Sequence, residues 1–128
     1  MKKRTILALL LIINLLYILT ACSSSSSLSG RYVIADVIDD PEGVTFAALE
    51  KNYSDTGINV TDYLYMEFFS GSRFKLIMFG EEEAAGTYTL DGNTLTLTAE
   101  GGTTTADVSG KKITWIYSSG GKLVFEKN

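Results

Sequence analysis

The chain from residue 31 onward consists of short runs of β-prone residues separated by glycine-rich turns. In the second half of this region apolar side chains alternate with polar ones; Leu95 and Leu97, for example, stand between threonines. A period of two is typical of a strand with one buried and one solvated face. The pattern predicts strands at residues 31–37, 62–69, 73–79, 85–90, 94–98, 103–108, 112–117 and 122–126.

The turns between these runs are short, which makes successive strands antiparallel neighbours. Asp91-Gly92 gives the strongest turn signal, because a two-residue hairpin turn needs positive φ angles that Asp and Gly tolerate. Strands in a sequential meander are expected to close into a small barrel, since closure removes exposed strand edges. Side chains nearly fill a barrel of about eight strands, so a large ligand cavity is not expected.

One segment has a helical pattern instead. Phe46, Leu49 and Tyr53 recur at intervals of three and four residues, which predicts a short helix within residues 44–53. Asp40 precedes Pro41, a pair typical of a helix start with Asp as the cap. The predicted fold is therefore mainly β, an antiparallel meander barrel with one short helix near its N-terminus.

The N-terminal residues differ in composition from the rest of the chain. A basic start, Met1-Lys2-Lys3-Arg4, precedes an apolar run from residue 6 to residue 19. As a helix this run is roughly 21 Å long at ~1.5 Å per residue, short of the ~30 Å core of a bilayer. A basic start before a short apolar run is typical of a secretory signal peptide.

Leu19-Thr20-Ala21-Cys22, at the end of the apolar run, resembles the lipobox of bacterial lipoproteins. The resemblance implies that the chain is cut before Cys22 and that a diacylglyceryl group is attached to the Cys22 sulfur. Two acyl chains anchor a protein stably, whereas one binds a membrane only marginally. The alternative is a soluble secreted protein, in which a lone cysteine lacks an explanation.

These features divide the chain into three parts. Residues 1–21 form the predicted signal peptide, residues 22–30 the lipidated cysteine with a serine-rich tether, and residues 31–128 the barrel domain. A serine run has little apolar surface to bury and is expected to be flexible. The domain is expected on the extracytoplasmic side of the cell membrane or envelope, anchored through the lipid on Cys22.

The chain is acidic, and loss of the leader increases this charge. Without the three basic residues of the leader, eight of the eleven basic residues remain against fifteen acidic ones, a net charge of −7. The sequence has no basic cluster of the kind that phosphate contacts require, so nucleic acid is not an expected partner. An unidentified envelope or extracellular partner is expected instead.

The sequence offers little support for catalysis. It has no histidine, its single cysteine is assigned to lipid, and its serines lack a Gly-x-Ser-x-Gly elbow. Two acidic clusters could offer oxygens to calcium, but neither has an ordered ligand spacing, and solvated loops are the favoured interpretation. These clusters are Asp39, Asp40 and Glu42, and Glu81, Glu82 and Glu83. We expect no enzyme activity, no cofactor and no metal site.

A hairpin pattern is present at residues 86–97, GTYTLDGNTLTL, and the first predicted strand starts at Gly30-Arg31-Tyr32. Both features resemble the calycin or lipocalin-like small lipoproteins of bacteria. Repeated strand–glycine–strand units up to residues 122–126 extend this resemblance over most of residues 30–128. The resemblance implies a small calycin-like barrel.

The predicted hairpin at residues 62–79 has two largely apolar faces. Alternation places one face outward, and this outer hairpin face is the candidate binding face, comprising Tyr63, Tyr65, Phe69, Arg73 and Lys75. Aromatic residues with basic residues at their edge are typical of partner-binding surfaces. The alternative is that the predicted helix covers this face.

Two functions remain open from the sequence. The preferred one is a binding or accessory module that holds a protein, peptide or glycan at the envelope, and it predicts a concave aromatic pocket or groove. The alternative is a lipoprotein inhibitor of a hydrolase, which predicts a protruding loop, with residues 81–83 as the best candidate.

The leader generates the first testable prediction. Replacement Cys22→Ser is expected to abolish lipidation and membrane association, because the sulfur that would carry the lipid is removed. Detergent phase separation and mass spectrometry of the N-terminus measure both effects. A wild-type chain found in the aqueous phase with Met1 intact would contradict the lipoprotein interpretation.

Overall fold

The computed structural model describes residues 27–117 and 120–128. The predicted signal peptide, Cys22 and the first serines of the predicted tether lie outside these residues. The strands are β1 (Gly30–Ile38), β2 (Leu64–Phe69), β3 (Arg73–Met78), β4 (Glu81–Asp91), β5 (Thr94–Ala99), β6 (Gly102–Ser109), β7 (Lys112–Ile116) and β8 (Lys122–Lys127). Between β1 and β2 lie the helix α1 (Phe46–Ser54) and a 3-10 helix (Val60–Asp62).

The eight strands pair in chain order, and β1 pairs with β8 to close the sheet into a barrel. All neighbouring strands are antiparallel, which confirms the predicted meander barrel with one short helix. Two strand starts differ from the prediction by more than one residue. Strand β2 begins at Leu64, because residues 60–62 form the 3-10 helix, and β4 begins as early as Glu81. Residues 81–83, expected as a solvated loop, are therefore the first part of a strand that is exposed but paired with β3.

The apolar positions of the alternating runs face the interior of the barrel, as predicted. In β5 and β8 the buried side chains are Leu95, Leu97, Leu123 and Phe125, while the residues between them are exposed or half-buried. On β7, Ile113 is fully buried. This core holds the strands at fixed register.

A β-bulge in β1 keeps a carboxylate out of the core. Ile34 lies opposite Phe125, and Val37 lies opposite Leu123, so β1 uses three steps where β8 uses two. Strict alternation from Ile34 would turn Asp36 inward, at the cost of burying a charge. The bulge resets the alternation, so that Val37 packs against the core and Asp36 is exposed.

Helix α1 begins at a different cap from the one predicted. The cap is Thr45, whose hydroxyl accepts the backbone N–H of Ala48 at 3.2 Å. The Asp40 carboxylate instead accepts the N–H groups of Glu42 and Val44, each at 3.0 Å, in the turn before the helix. Apolar side chains of α1, among them Phe46 and Leu49, pack against the core, so the helix covers part of one end of the barrel.

A leucine side chain closes the N-terminal end of the barrel. At the N-terminal end, where β1 begins and β8 ends, Leu28 is 9% exposed and belongs to the core. Its N–H donates to the Tyr88 hydroxyl, and that hydroxyl donates to the Leu28 carbonyl, both at 2.9 Å. The Tyr88 ring also meets Phe68 edge-on, with 5.1 Å between centroids. Leu28 therefore closes this end, and the predicted flexible tether ends before it instead of continuing to Gly30.

The contact of Leu28 with Tyr88 generates the second prediction. A chain that starts at Arg31 is expected to have a free energy of unfolding about 2 kcal/mol lower than one that starts at Ser27. This is the free energy typically gained by burying one leucine side chain. In the longer chain, Tyr88→Phe leaves two backbone groups of Leu28 without a partner and is expected to cost about 1–3 kcal/mol. Urea unfolding followed by Trp115 fluorescence measures both changes.

The control is the same Tyr88→Phe change in the shorter chain, where the hydroxyl has no Leu28 to bind. Its effect there is expected to be well below that in the longer chain. Equal stability of the two unsubstituted chains would show that Leu28 is not part of the folded unit.

Candidate ligand cavity

The far end of the barrel is the end opposite Leu28, where β1 ends and β8 begins. Small residues occupy the inward register positions along one side of this end. On β4 these positions are Ala84, opposite Leu76, and Gly86, opposite Phe74 and Ala99. On β6 they continue with Gly102 and Thr104. A Cβ at Gly86 would lie 1.9 Å from the Thr98 carbonyl oxygen, so only glycine fits where β4 approaches β5. Among them, Ala84, Gly102 and Thr104 line a part of the interior that is left unfilled.

The unfilled space is a cavity of about 590 Å³ that is open to solvent at the far end of the barrel, opposite Leu28. This volume is in the range of small-molecule sites, roughly 300–1,000 Å³. The expectation that side chains leave no large cavity is wrong here, because it assumed inward residues of average size. The cavity is lined by Met66, Phe74, Leu76, Glu82, Glu83, Ala84, Ala85, Leu97, Ala99, Glu100, Gly101, Gly102, Thr103, Thr104 and Trp115.

Trp115 forms an aromatic wall of the cavity. Its indole N–H donates to the Thr104 hydroxyl at 3.1 Å, which fixes the ring across the space between β6 and β7. Trp115 shares the inner face of β7 with Ile113, since the two residues pair with the buried Leu123 and Phe125 of β8. The ring is only half-buried, however, because one side borders the cavity instead of packed core.

The mouth of the cavity is acidic. Glu82, Glu83 and Glu100 are exposed and line the opening, together with Gly101, Gly102 and Thr103. Within the described part of the chain, the ion pairs involve other residues, Glu67 with Arg31 and Lys75, and Lys51 with Asp55. The glutamates of the mouth therefore carry unneutralised charge beside an apolar interior.

The outer hairpin face does not form an open aromatic patch. Tyr65 is only 9% exposed, because the Arg31 guanidinium lies 3.9 Å from its ring centroid. Both Arg31 and Lys75 lie 3.6 Å from the Glu67 carboxylate, which leaves less charge free for a partner. The Lys75 ammonium also lies 5.6 Å from the Phe69 ring centroid.

The other members of the outer hairpin face have separate surroundings. Tyr63 follows the 3-10 helix and packs against Tyr53 of α1, with 5.7 Å between centroids, so the helix reaches this end of the face. Phe69 and Arg73 are exposed at the other end of the barrel. The cavity, not this face, is the concave aromatic feature of the described chain.

Sequence reasoning missed the cavity residues because it looked for aromatic and charged side chains. The available signal was the small size of the inward residues near three strand ends, Ala84 on β4, Ala99 on β5, and Gly102 and Thr104 on β6. Within the described residues, no group of three His, Cys, Asp or Glu side chains is placed to hold a metal ion. The candidate calcium ligand Asp40 uses its carboxylate for hydrogen bonds within the protein.

Asp40 connects the turn before α1 to the end of β7. The Tyr117 hydroxyl donates a hydrogen bond to the Asp40 carboxylate. This bond, with those from the backbone N–H groups of Val44 and Glu42, holds the pKa of Asp40 below its usual value. The same bond raises the pKa of Tyr117 to about 12. The hydrogen bond thus ties the turn before α1 to Tyr117. The Tyr117 ring centroid lies 6.4 Å from that of Trp115, so this link is close to the cavity wall.

The third prediction concerns this link. Tyr117→Phe is expected to destabilise the protein near neutral pH. Because the folded state lowers the pKa of Asp40, the stability that this group contributes is full above the ordinary value of 3.8 and is lost as the pH falls through the folded-state pKa. Because the folded state raises the pKa of Tyr117, its contribution is full below 10.0 and is lost as the pH rises toward 12.

Urea midpoints of wild type and Tyr117→Phe, measured from pH 2 to pH 11, test this pattern. The difference in urea midpoint between the two proteins is expected to be largest between pH 3.8 and pH 10.0 and to shrink toward both ends of the pH range. Tyr65→Phe serves as the control, since Tyr65 lies on the outer hairpin face. A difference for Tyr117→Phe that stays constant across the range would contradict the prediction.

No protein-family model, curated protein or solved structure matches the chain in comparisons with known proteins. Among residues 27–117 and 120–128, no helix has both the length and the apolar character needed to cross a membrane.

Proposed function

We propose that the mature chain is a lipid-anchored binding module of the cell envelope and that its binding site is the cavity of the barrel. The observation that carries this proposal is the open cavity of about 590 Å³ with an apolar interior and the Trp115 wall. A concave aromatic pocket is the feature that a binding module was expected to have. Ligand sites are typically apolar clefts with a few polar groups that fix orientation, and this cavity has that composition.

The alternative function, inhibition of a hydrolase, has weaker support. It required a protruding loop, for which Glu81, Glu82 and Glu83 were the best candidates. These residues belong to β4 and pair with β3, so their backbone is held in the wall of the barrel. No other feature of the described residues favours an inhibitor.

The position of the cavity is compatible with an anchor at Cys22. Leu28 lies at the N-terminal end of the barrel, and the cavity opens at the other end. The five residues from Ser23 to Ser27 can span at most about 18 Å when extended, at ~3.3–3.6 Å per residue. An anchor at Cys22 would thus keep the N-terminal end near the membrane and leave the mouth accessible to a ligand from the envelope or the medium.

Filling the cavity gives the fourth prediction. Ala84→Phe places a large side chain at an inward position of the cavity wall and is expected to weaken binding of the neutral fluorophore N-phenyl-1-naphthylamine at least tenfold. Stability is expected to change by less than about 1.5 kcal/mol, because the added ring enters existing space. Fluorescence titration with energy transfer from Trp115, the single tryptophan of the chain, measures binding.

The matched control is Ala47→Phe, the same substitution at an exposed position of α1. It is expected to leave the affinity for the fluorophore unchanged. If Ala84→Phe binds the fluorophore as tightly as wild type, the cavity is not the binding site.

A further inference from the structure

The interior and the mouth of the cavity differ in chemistry. The interior is formed by buried apolar residues, including Met66, Phe74 and Leu97, and by the Trp115 ring. The mouth carries three carboxylates, and the lining of the cavity contains no lysine or arginine. A ligand that fills the cavity therefore meets apolar surface at its inner end and negative charge at its outer end.

The field at the mouth is stronger than that of isolated surface charges. Carboxylates at the rim of an apolar cavity act partly through low-dielectric protein, which focuses their potential on the opening. The net charge of −7 for the chain without its leader adds to this potential in the same sense. An anionic head would be repelled here, whereas a cationic head would replace the missing ion-pair partners.

We infer that the ligand of this cavity is a small amphiphilic cation, with an ammonium or guanidinium head at Glu82, Glu83 and Glu100 and an apolar, preferably aromatic, body against Trp115. This inference rests on the proposed function of the cavity. The head lies where the carboxylates converge on the opening, and the body excludes water from the apolar interior. The Thr104 hydroxyl, which accepts the Trp115 N–H, still has its own hydrogen to donate to a polar atom of the body.

The closed N-terminal end limits what can enter. Leu28, Tyr88 and Leu90 are buried at the end opposite the mouth, so the cavity is blind. An extended chain cannot pass through it, and a ligand must enter end-on. This geometry favours a compact molecule over an internal segment of a peptide. A basic side chain at the tip of a partner protein has the same head chemistry and is distinguished by the experiment.

The experiment uses the chain from Cys22 to Asn128 and three compounds with one ring system. These are 1-naphthylmethylamine, a cation; 1-naphthalenemethanol, which is neutral; and 1-naphthoate, an anion. Each compound is added to the protein with N-phenyl-1-naphthylamine already bound, and displacement of this fluorophore is measured. The amine is expected to displace the fluorophore about tenfold more effectively than the carboxylate at low salt, and the preference is expected to narrow as salt screens the mouth.

Two charge variants with equal net charge test the location of the preference. The triple variant Glu82→Gln, Glu83→Gln, Glu100→Gln is expected to lose the preference for the amine, measured within each protein as the ratio of the affinities for the amine and for the carboxylate. The control variant Asp91→Asn, Asp107→Asn, Glu126→Gln neutralises exposed acids near the N-terminal end and is expected to keep the preference.

The outcomes separate this inference from the function on which it rests. If the fluorophore and all three compounds fail to bind, the proposed function fails. If the three compounds bind equally, or if the mouth variant keeps the preference, the function stands and the inference is overturned. N-acetyl-lysine methylamide and N-acetyl-arginine methylamide are titrated in parallel. If either binds more tightly than the naphthyl amine, the source of the cation is a protein side chain and the small-molecule assignment is wrong.

Discussion

The pairing of β1 with β8 is the interaction on which the rest of the structure depends. It converts a row of eight strands into a closed surface, in which each of the eight described strands has a neighbour on both sides and the inward side chains share one interior. The bulge in β1 is what makes this closure compatible with the sequence, because it turns Asp36 out while Ile34 and Val37 both face the core. An open sheet of the same strands would have neither an enclosed core nor a cavity.

Much of the fold follows from short-range patterns in the sequence. The alternation around Leu95 and Leu97 and the turn at Asp91-Gly92 depend on residues within one hairpin, and they predicted both strands and their buried faces. Two local details escaped this reasoning. Residues 81–83 look like a solvated run of charge, yet a strand at a barrel rim needs only backbone hydrogen bonds to its neighbour. Asp40 looks like a helix cap, yet Thr45 lies closer to the first turn of α1.

The candidate site was less predictable, since it arises from what the side chains lack. Ala84, Ala99 and Gly102 are ordinary residues one at a time, and they line a cavity only because the register places them together on the inside. The outer hairpin face failed to form a patch for a related reason. Alternation correctly placed Tyr65 outward, but the residue that covers it, Arg31, comes from β1 and becomes its neighbour only through strand pairing. Contacts between distant segments decide both features.

The two described chain ends lie together at the N-terminal end of the barrel, where the N–H of Asn128 donates to the Arg31 carbonyl at 3.0 Å. Neither of these two ends lies at the cavity end, where β1 ends and β8 begins. A fluorescent protein or an immobilisation tag fused after Asn128 would thus sit beside the end that carries the proposed attachment point, Cys22, and leave the opening clear. Joining the two ends and cutting the chain between β5 and β6 would reverse this arrangement. The permuted barrel would have its new chain ends, and any tag attached to them, at the mouth of the cavity.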